Sequence, residues 1–242
     1  MFRKCFKKDI IKNMKLKIKN LKVKLIDTNK DIIKEASFFI DSGEVISITG
    51  KNGSGKSSLL SAIFKHPNYE IEDGEIILEK EGEKINLTDL KTFEIAKNGL
   101  YLSMQHVPEI EGVNLLQFLY RSYKNINEKN ELSVLDFNKN IIEFCNKYEI
   151  NTEFLKRDLN VGFSGGEKKQ AEMLHIFALK PSFVFMDEID SGVDRVAIKK
   201  VFSIINDLQN DGTAFCLISH RDNLEELIKV DRFYEMENSI LN

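Results

Sequence analysis

Apolar and polar residues alternate along this chain with two distinct periods. From Met14 to Leu25, MKLKIKNLKVKL, lysine alternates with Leu, Ile and Val. A period of two separates the faces of a strand. The pattern predicts an outer strand with its lysines in solvent, where they also block stray edge pairing. Further strands are predicted at EVISITG (44–50), GEIILEK (74–80), GLYLSMQ (99–105), SFVFMDE (182–188), TAFCLISH (213–220) and DRFYEME (231–237). FVFM and AFCLI are short and apolar throughout, as central parallel strands buried on both faces are. A helical period is clearest after Lys56, from about Glu167 to Leu179, and from Ala197 to Leu208. Strands alternating with helices predict an α/β core. Residues 106–160 differ, being rich in Asn, Lys, Phe and Leu, with the run NKNIIEFCNKY and few strand signals. They predict a mainly helical lobe set between two core strands, with the polar YKNINEKNELS, Tyr123 to Ser133, as a loop within it. The three prolines, Pro67, Pro108 and Pro181, fall near segment boundaries.

Length fits one large α/β domain, or a core with an inserted lobe. We place an extension at 1–13, then a single domain at 14–242, with the core at 14–105 and 161–242 and the lobe at 106–160. No apolar run approaches the roughly 18 residues that span a bilayer. This predicts a soluble chain with no direct membrane insertion, whose membrane role, if any, comes through a partner. Cys5, Cys145 and Cys216 stand apart without C-x-x-C spacing. That argues against a disulfide framework or zinc site and suits a reducing compartment, a cytoplasm or an organelle stroma. The net charge of −3 hides an uneven distribution: residues 1–30 carry 11 Lys/Arg and 2 Asp/Glu, the remainder 24 against 36. A basic start can mark a nucleic-acid surface. Here the period-two alternation favours a strand with solvated lysines instead, and no nucleic-acid partner is expected. Residues 1–13 are either an extension ahead of the domain or the remnant of a targeting segment. Asp9 and the absence of serine weigh against a transit peptide.

The chemistry is concentrated in three stretches. GKNGSGKSS, formed by Gly50, Lys51, Asn52, Gly53, Ser54, Gly55, Lys56, Ser57 and Ser58, matches G-x-x-x-x-G-K-[ST] between a predicted strand and helix. Its glycines let backbone N–H groups converge on phosphate oxygens, Lys56 reaches the β- and γ-phosphates, and the Ser57 hydroxyl ligates Mg²⁺. FVFMDE delivers Asp187 and Glu188 at the carboxyl edge of the sheet, where nucleotides sit in such folds. Asp187 there suits Mg²⁺, and Glu188 suits orienting or deprotonating an attacking water. The third stretch, VGFSGGEKKQAEM, Val161 to Met173, puts Ser164, Gly165 and Gly166 at a helix start, a second anion-binding arrangement.

Taken together and in order, these stretches resemble the ATP-binding-cassette (ABC) ATPases. The resemblance runs from about Met14 to the C-terminus. It includes Gln105 after a strand, Ser164-Gly165-Gly166-Glu167, Asp187-Glu188, SGVD at Ser191 to Asp194, and His220 after another strand. It implies a phosphate-loop NTPase core with a mainly parallel sheet, an N-terminal antiparallel β portion and an inserted helical subdomain. It also implies Mg²⁺-dependent ATP hydrolysis between two cassettes packed head to tail, each signature serine and diglycine capping the γ-phosphate held by the other copy. Gln105 then contacts metal and water and senses the lobe, and His220 reaches the γ-phosphate. His66, His106 and His175 have no such context and read as incidental. The aromatic that many cassettes stack on adenine has no counterpart in IDTNKDIIK, Ile26 to Lys34, which reads as a loop offering only aliphatic contacts such as Ile32 or Ile33.

Within the family, GFSGGEKK, MDEIDSGVD, HPNYEIEDGEI and QHVPEIEGV are similar to the SufC group, the ATPases of SUF iron–sulfur cluster assembly. That likeness implies SufB/SufD-type scaffold partners docked on residues 106–160 and no cluster on this chain. His106-Val107, Gln170-Ala171 and Arg221 depart from the group's usual residues, which bears on partner contacts more than on ATP chemistry. The alternatives are the ATP-binding subunit of a membrane transporter, the commonest role in the family, and a nucleotide-dependent scaffold without turnover. Intact Lys56, Asp187, Glu188 and His220 speak against the scaffold.

Overall fold

A computed structural model describes residues 13–104, 107–127, 132–189, 193–218 and 227–241. The elements run β1 (Met14–Leu25), β2 (Lys30–Asp41), β3 (Val45–Thr49), α1 (Lys56–Ile63), β4 (Tyr69–Lys80), β5 (Glu83–Asn86), α2 (Thr92–Lys97) and β6 (Leu100–Ser103). Next come β7 (Ile110–Asn114), α3 (Leu115–Ile126), α4 (Val134–Lys147), a 3₁₀ turn at Thr152–Lys156, β8 (Asp158–Leu159) and α5 (Gly165–Leu179). The chain closes with β9 (Phe183–Met186), α6 (Arg195–Asn210), β10 (Ala214–Ile218), β11 (Arg232–Glu237) and β12 (Ile240–Leu241). Among the described residues, no helix is long and apolar enough to cross a membrane.

The described residues form two compact units. The first, 13–104, 181–189, 209–218 and 227–241, holds a ten-stranded sheet ordered β5-β4-β1-β2-β12-β11-β3-β10-β9-β6. From β11 to β6 every pairing is parallel, whereas β5, β4, β1 and β2 pair antiparallel. The expected α/β class, with a mainly parallel sheet and an N-terminal antiparallel portion, is thus observed. β9 and β10 are buried at every position, which is why their sequences show no alternation. Phe64, at the end of α1, meets Phe185 of β9 edge to face, with centroids 5.4 Å apart. This fixes the helix that follows the glycine loop against the strand that ends in Asp187.

Two sequence expectations need correction here. β1 is not an outer strand: it lies between β2 and β4, and Lys15, Lys17, Lys22 and Lys24 form ion pairs with Asp41, Glu79, Asp73 and Glu72. The alternation did report one polar face, but carboxylates on neighbouring strands meet that face and neutralise it. The segment Ile26 to Lys34 is not a loop throughout, because β2 begins at Lys30. Ile33 points into the core at 1% exposure, so it cannot meet an adenine.

The second unit, 107–127, 132–180 and 193–208, is mainly helical, with the short β7–β8 pair. α3 continues to Ile126, so Tyr123 to Ile126 of the expected polar loop are helical, and residues 128–131 lie outside the described residues. Asn114 caps α3 and Ser133 caps α4 through side-chain oxygens that accept amide hydrogens of the first turn. Phe144 of α4 stacks on Phe177 of α5 at 4.0 Å between centroids, and Phe137 packs against Tyr123 at 5.2 Å. Cys145 and Cys216 are buried free thiols, and Cys5 lies outside the described residues.

His175, on α5, is buried with its Nδ1 2.9 Å from the Ala171 carbonyl and its ring edge-on to Phe118. Burial holds its pKa down from 6.5 to about 4, only partly opposed by that hydrogen bond. The folded imidazole therefore stays neutral where the unfolded one charges. Stability from this group is complete above about pH 6.5 and is lost as pH falls toward 4, by up to about 3 kcal/mol. Denaturant titrations across that window should show the loss, and His175→Leu should flatten this part of the slope.

Candidate functional site

β3 is a buried run, VISIT, that ends where Gly50 to Gly55 turn back over the start of α1. Two glycines make the turn possible. Gly50 has φ +138°, and a Cβ there would lie 2.3 Å from the Met236 carbonyl oxygen on β11. Gly55 has φ +111°, and its Cβ would lie 2.8 Å from Ile33 Cδ1. A side chain at Gly50 would clash with strand backbone, whereas at Gly55 the positive φ and the Ile33 side chain disfavour one. The Ser54 amide donates to the Lys51 carbonyl at 3.1 Å, which closes the loop's own turn. Among the described residues, the buried Ser54 hydroxyl has no hydrogen-bond partner.

Lys56 is 5% exposed, and its Nζ donates to the carbonyls of Gly50 at 2.7 Å and Lys51 at 3.0 Å. Burial lowers its pKa, opposed by the charges of Asp187 and Glu188. An ammonium in this position is pre-placed over the loop and held among carbonyls that an anion can outcompete.

The Ser57 hydroxyl donates to Asp187 Oδ1 at 3.1 Å. Asp187 is 8% exposed, and its amide donates to the Ser103 carbonyl at 3.2 Å. Two hard oxygen donors beside a phosphate loop fit Mg²⁺, which takes few protein ligands and completes its shell with water and phosphate oxygens. Glu188 follows with φ +49°, a left-handed conformation that costs a non-glycine residue about 1–2 kcal/mol. Such strain at the end of a buried strand is typical of residues held for chemistry. All these groups belong to the sheet-containing unit.

Ser164, Gly165 and Gly166 lie in the helical unit. Ser164 caps α5 in a capping box: its Oγ accepts from the Glu167 amide at 3.3 Å, and Glu167 Oε2 accepts from the Ser164 amide at 2.7 Å. The serine oxygen is occupied as an acceptor but its proton is left to donate. The Gly165 and Gly166 amides are orphan donors of the first turn. A methyl on Gly166 would approach the Ala197 methyl at 3.2 Å, so the starts of α5 and α6 are close. Asp194 caps α6, accepting from the Val196 and Ala197 amides at 2.8 and 2.9 Å. Hydrogen bonds first from Ala197 and then from Val196 lower its pKa.

Gln105 and His220, together with Ser191 and Gly192 of SGVD, lie outside the described residues. The strands β6 and β10 that precede Gln105 and His220 end at the same edge of the sheet as β3 and β9. Sequence reasoning missed Met236, whose carbonyl closes over Gly50. The only signal it leaves is its place in an otherwise ordinary terminal strand.

A parallel sheet whose central strand opens into a glycine loop and helix, with a serine–aspartate oxygen pair beside it, is the arrangement of a phosphate-loop nucleoside triphosphatase. The chain belongs to the ABC transporter family, whose model matches residues 33–191, and it is an ATP-binding, ATP-hydrolysing cassette of that family. It is 37% identical over 226 residues to the "Probable ATP-dependent transporter ycf16" of Cyanophora paradoxa, covering 92% of this chain and 85% of that one. It is 41% identical over 225 residues to the "Probable ATP-dependent transporter slr0075" of Synechocystis sp., covering 91% and 85%. A dimeric bacterial ABC transporter cassette has the same fold, with a TM-score of 0.78 at 20% identity over 94% of this chain and 96% of that one.

Gly50→Ala is expected to lower stability by about 1–3 kcal/mol through strain at the strand–loop junction and to abolish ATP binding. Denaturant unfolding and nucleotide titration of the variant check both outcomes.

Proposed function

We propose that two copies of this chain sandwich ATP, each completing the other's site, and that the cycle of pairing and separation moves a bound partner. The loop amides and Lys56 hold the β- and γ-phosphates, and Lys56 exchanges its two carbonyl acceptors for phosphate oxygens. Ser57, Asp187 and Gln105 would hold Mg²⁺, which would supply charge neutralisation on the phosphate chain. Glu188 takes a proton from water as the water oxygen bonds to the γ-phosphorus. The bond from that phosphorus to the bridging oxygen breaks, and ADP and phosphate leave. His220, by the family resemblance, would reach the γ-phosphate. From the second copy, the Ser164 hydroxyl and the Gly165 and Gly166 amides face the same γ-phosphate as charge-assisted donors. Hydrolysis removes the shared group, and the pair loosens.

The observation that carries this reading is the open, capped diglycine at the start of α5 on a chain whose own phosphate loop is already complete. A second anion site of this geometry is accounted for by the partner's nucleotide.

For the client, the four SufC-like stretches favour a SufB/SufD-type scaffold docked on residues 106–160, in a single cassette domain spanning 14–242, in a cytoplasm or stroma. The second reading is a membrane transporter's ATP-binding subunit, favoured by both relatives being named probable ATP-dependent transporters. Affinity purification of the full chain distinguishes them: a soluble SufB/SufD-type protein supports the first reading, a multi-span membrane protein the second.

Glu188→Gln should retain ATP binding, lose turnover by about a hundredfold or more, and accumulate an ATP-bound dimer in size-exclusion chromatography. Normal hydrolysis by this variant would remove Glu188 as the base. Ser164→Arg should leave ATP binding by the single chain intact and block ATP-driven pairing, whereas loss of binding by the isolated variant would contradict the role in trans.

A further inference from the structure

The run HPNYEIEDGEI has no part in the chemistry above, yet it carries an aromatic hydroxyl to the phosphate loop. Tyr69 opens β4 opposite Leu25 of β1, and its amide donates to the His66 carbonyl at 3.0 Å. Its phenol oxygen lies 3.2 Å from Ser58 Oγ, where either atom could donate. Ser58 directly follows Lys56 and Ser57 in the first turn of α1. The tyrosine ring is held from the side by His66, edge-on at 5.9 Å between centroids. His66 is itself oriented by the Asn68 amide, which donates to Nδ1 at 3.3 Å. The turn 65–68 thus places one hydroxyl against another at the nucleotide end of the sheet.

We infer that Tyr69 is a positioning residue that aims the Ser58 hydroxyl at the phosphate chain of the bound nucleoside di- or triphosphate; this rests on the phosphate-loop reading above. A serine hydroxyl within a helix turns readily to the carbonyl one turn earlier, which takes its proton away from any ligand. A phenol is the stronger donor of the two groups. With Tyr69 donating to Ser58 Oγ, the serine proton is left to point outward at an anion. The two O–H groups and the phosphate oxygen then form a chain in which each hydrogen bond strengthens the next. Lys56 and Ser57 serve the β- and γ-phosphates and the metal, so Ser58 falls to the phosphates that ATP and ADP share. His66, which carries no motif of its own, becomes the group that fixes the tyrosine ring.

The test uses the full chain titrated with MgATP and with ADP, as wild type, Tyr69→Phe, Ser58→Ala, the double variant and Lys56→Ala. Tyr69→Phe keeps the ring and its packing and removes only the hydroxyl. It should weaken ATP and ADP binding by the same factor, about threefold to tenfold, the worth of one hydrogen bond. KM for ATP should rise by more than kcat falls. The double variant should bind no more weakly than Ser58→Ala alone, because both changes remove the same contact. Wild-type ADP binding by Tyr69→Phe, or losses that multiply in the double variant, would overturn the inference. Lys56→Ala separates this from failure of the underlying site: binding lost there with Tyr69→Phe unchanged sinks only the role of Tyr69, whereas undiminished binding by Lys56→Ala sinks the phosphate-loop reading and this inference with it.

Discussion

The Ser57–Asp187 hydrogen bond joins two places 130 residues apart in the chain, tying the start of the helix after the phosphate loop to the carboxylate that ends β9. β3 carries the loop and β9 carries the carboxylate, with β10 between them. Parallel register sets their relation: Ile48 of β3 pairs with Ile218 of β10, and Leu217 of β10 pairs with Met186 of β9. Ser47 of β3 and Met186 of β9 both pair with Leu217, so the chain leaves the two strands at the same edge, β3 two residues further on. A one-residue slip in either ladder would mismatch the close-packed side chains on both faces, so the packing of the apolar strands itself protects the geometry. The hydrophobic effect holds the strands together, and the site inherits its precision from them.

The same burial shapes the electrostatics. Lys56 is desolvated, which disfavours its charge, and the nearby Asp187 and Glu188 offset this only in part. Its carbonyl partners satisfy the ammonium without neutralising it, so a phosphate gains a full Coulomb interaction on replacing them. Glu188 stands one residue beyond the hydrogen-bonded Asp187, and its left-handed backbone breaks the strand direction at that point. The proposed mechanism uses this change of direction to assign the two adjacent carboxylates to the metal and to the attacking water.

Much of this was legible in the amino-acid sequence because it rests on local rules. The glycine loop needs particular backbone angles, FVFM needs burial on both faces, and Ser164 with two glycines before a helical period marks a helix start that can bind an anion. What was not legible depends on distant neighbours. The lysines of β1 read as a solvated outer face, since nothing in MKLKIKNLKVKL reveals that β2 and β4 bring carboxylates to meet them. β2 was hidden because KDIIKEASFFID breaks its alternation, with Ile32 and Ile33 adjacent and only the second buried. The Met236 carbonyl over Gly50 is a backbone group and leaves no mark on side-chain identity. Tyr69 lies ahead of the strand expected at 74–80, and nothing local marks it until β4 and α1 are folded side by side.

The central claim is that a working site is built from the phosphate loop of one copy and the signature serine and diglycine of another. Mixing two individually inactive chains, one carrying Lys56→Ala and one carrying Ser164→Arg, tests it most directly. A mixed pair contains one site with both an intact Lys56 and an intact Ser164, so ATP hydrolysis should rise well above the sum of the separate chains. A mixture that hydrolyses no more than that sum would contradict assembly of the site from two copies.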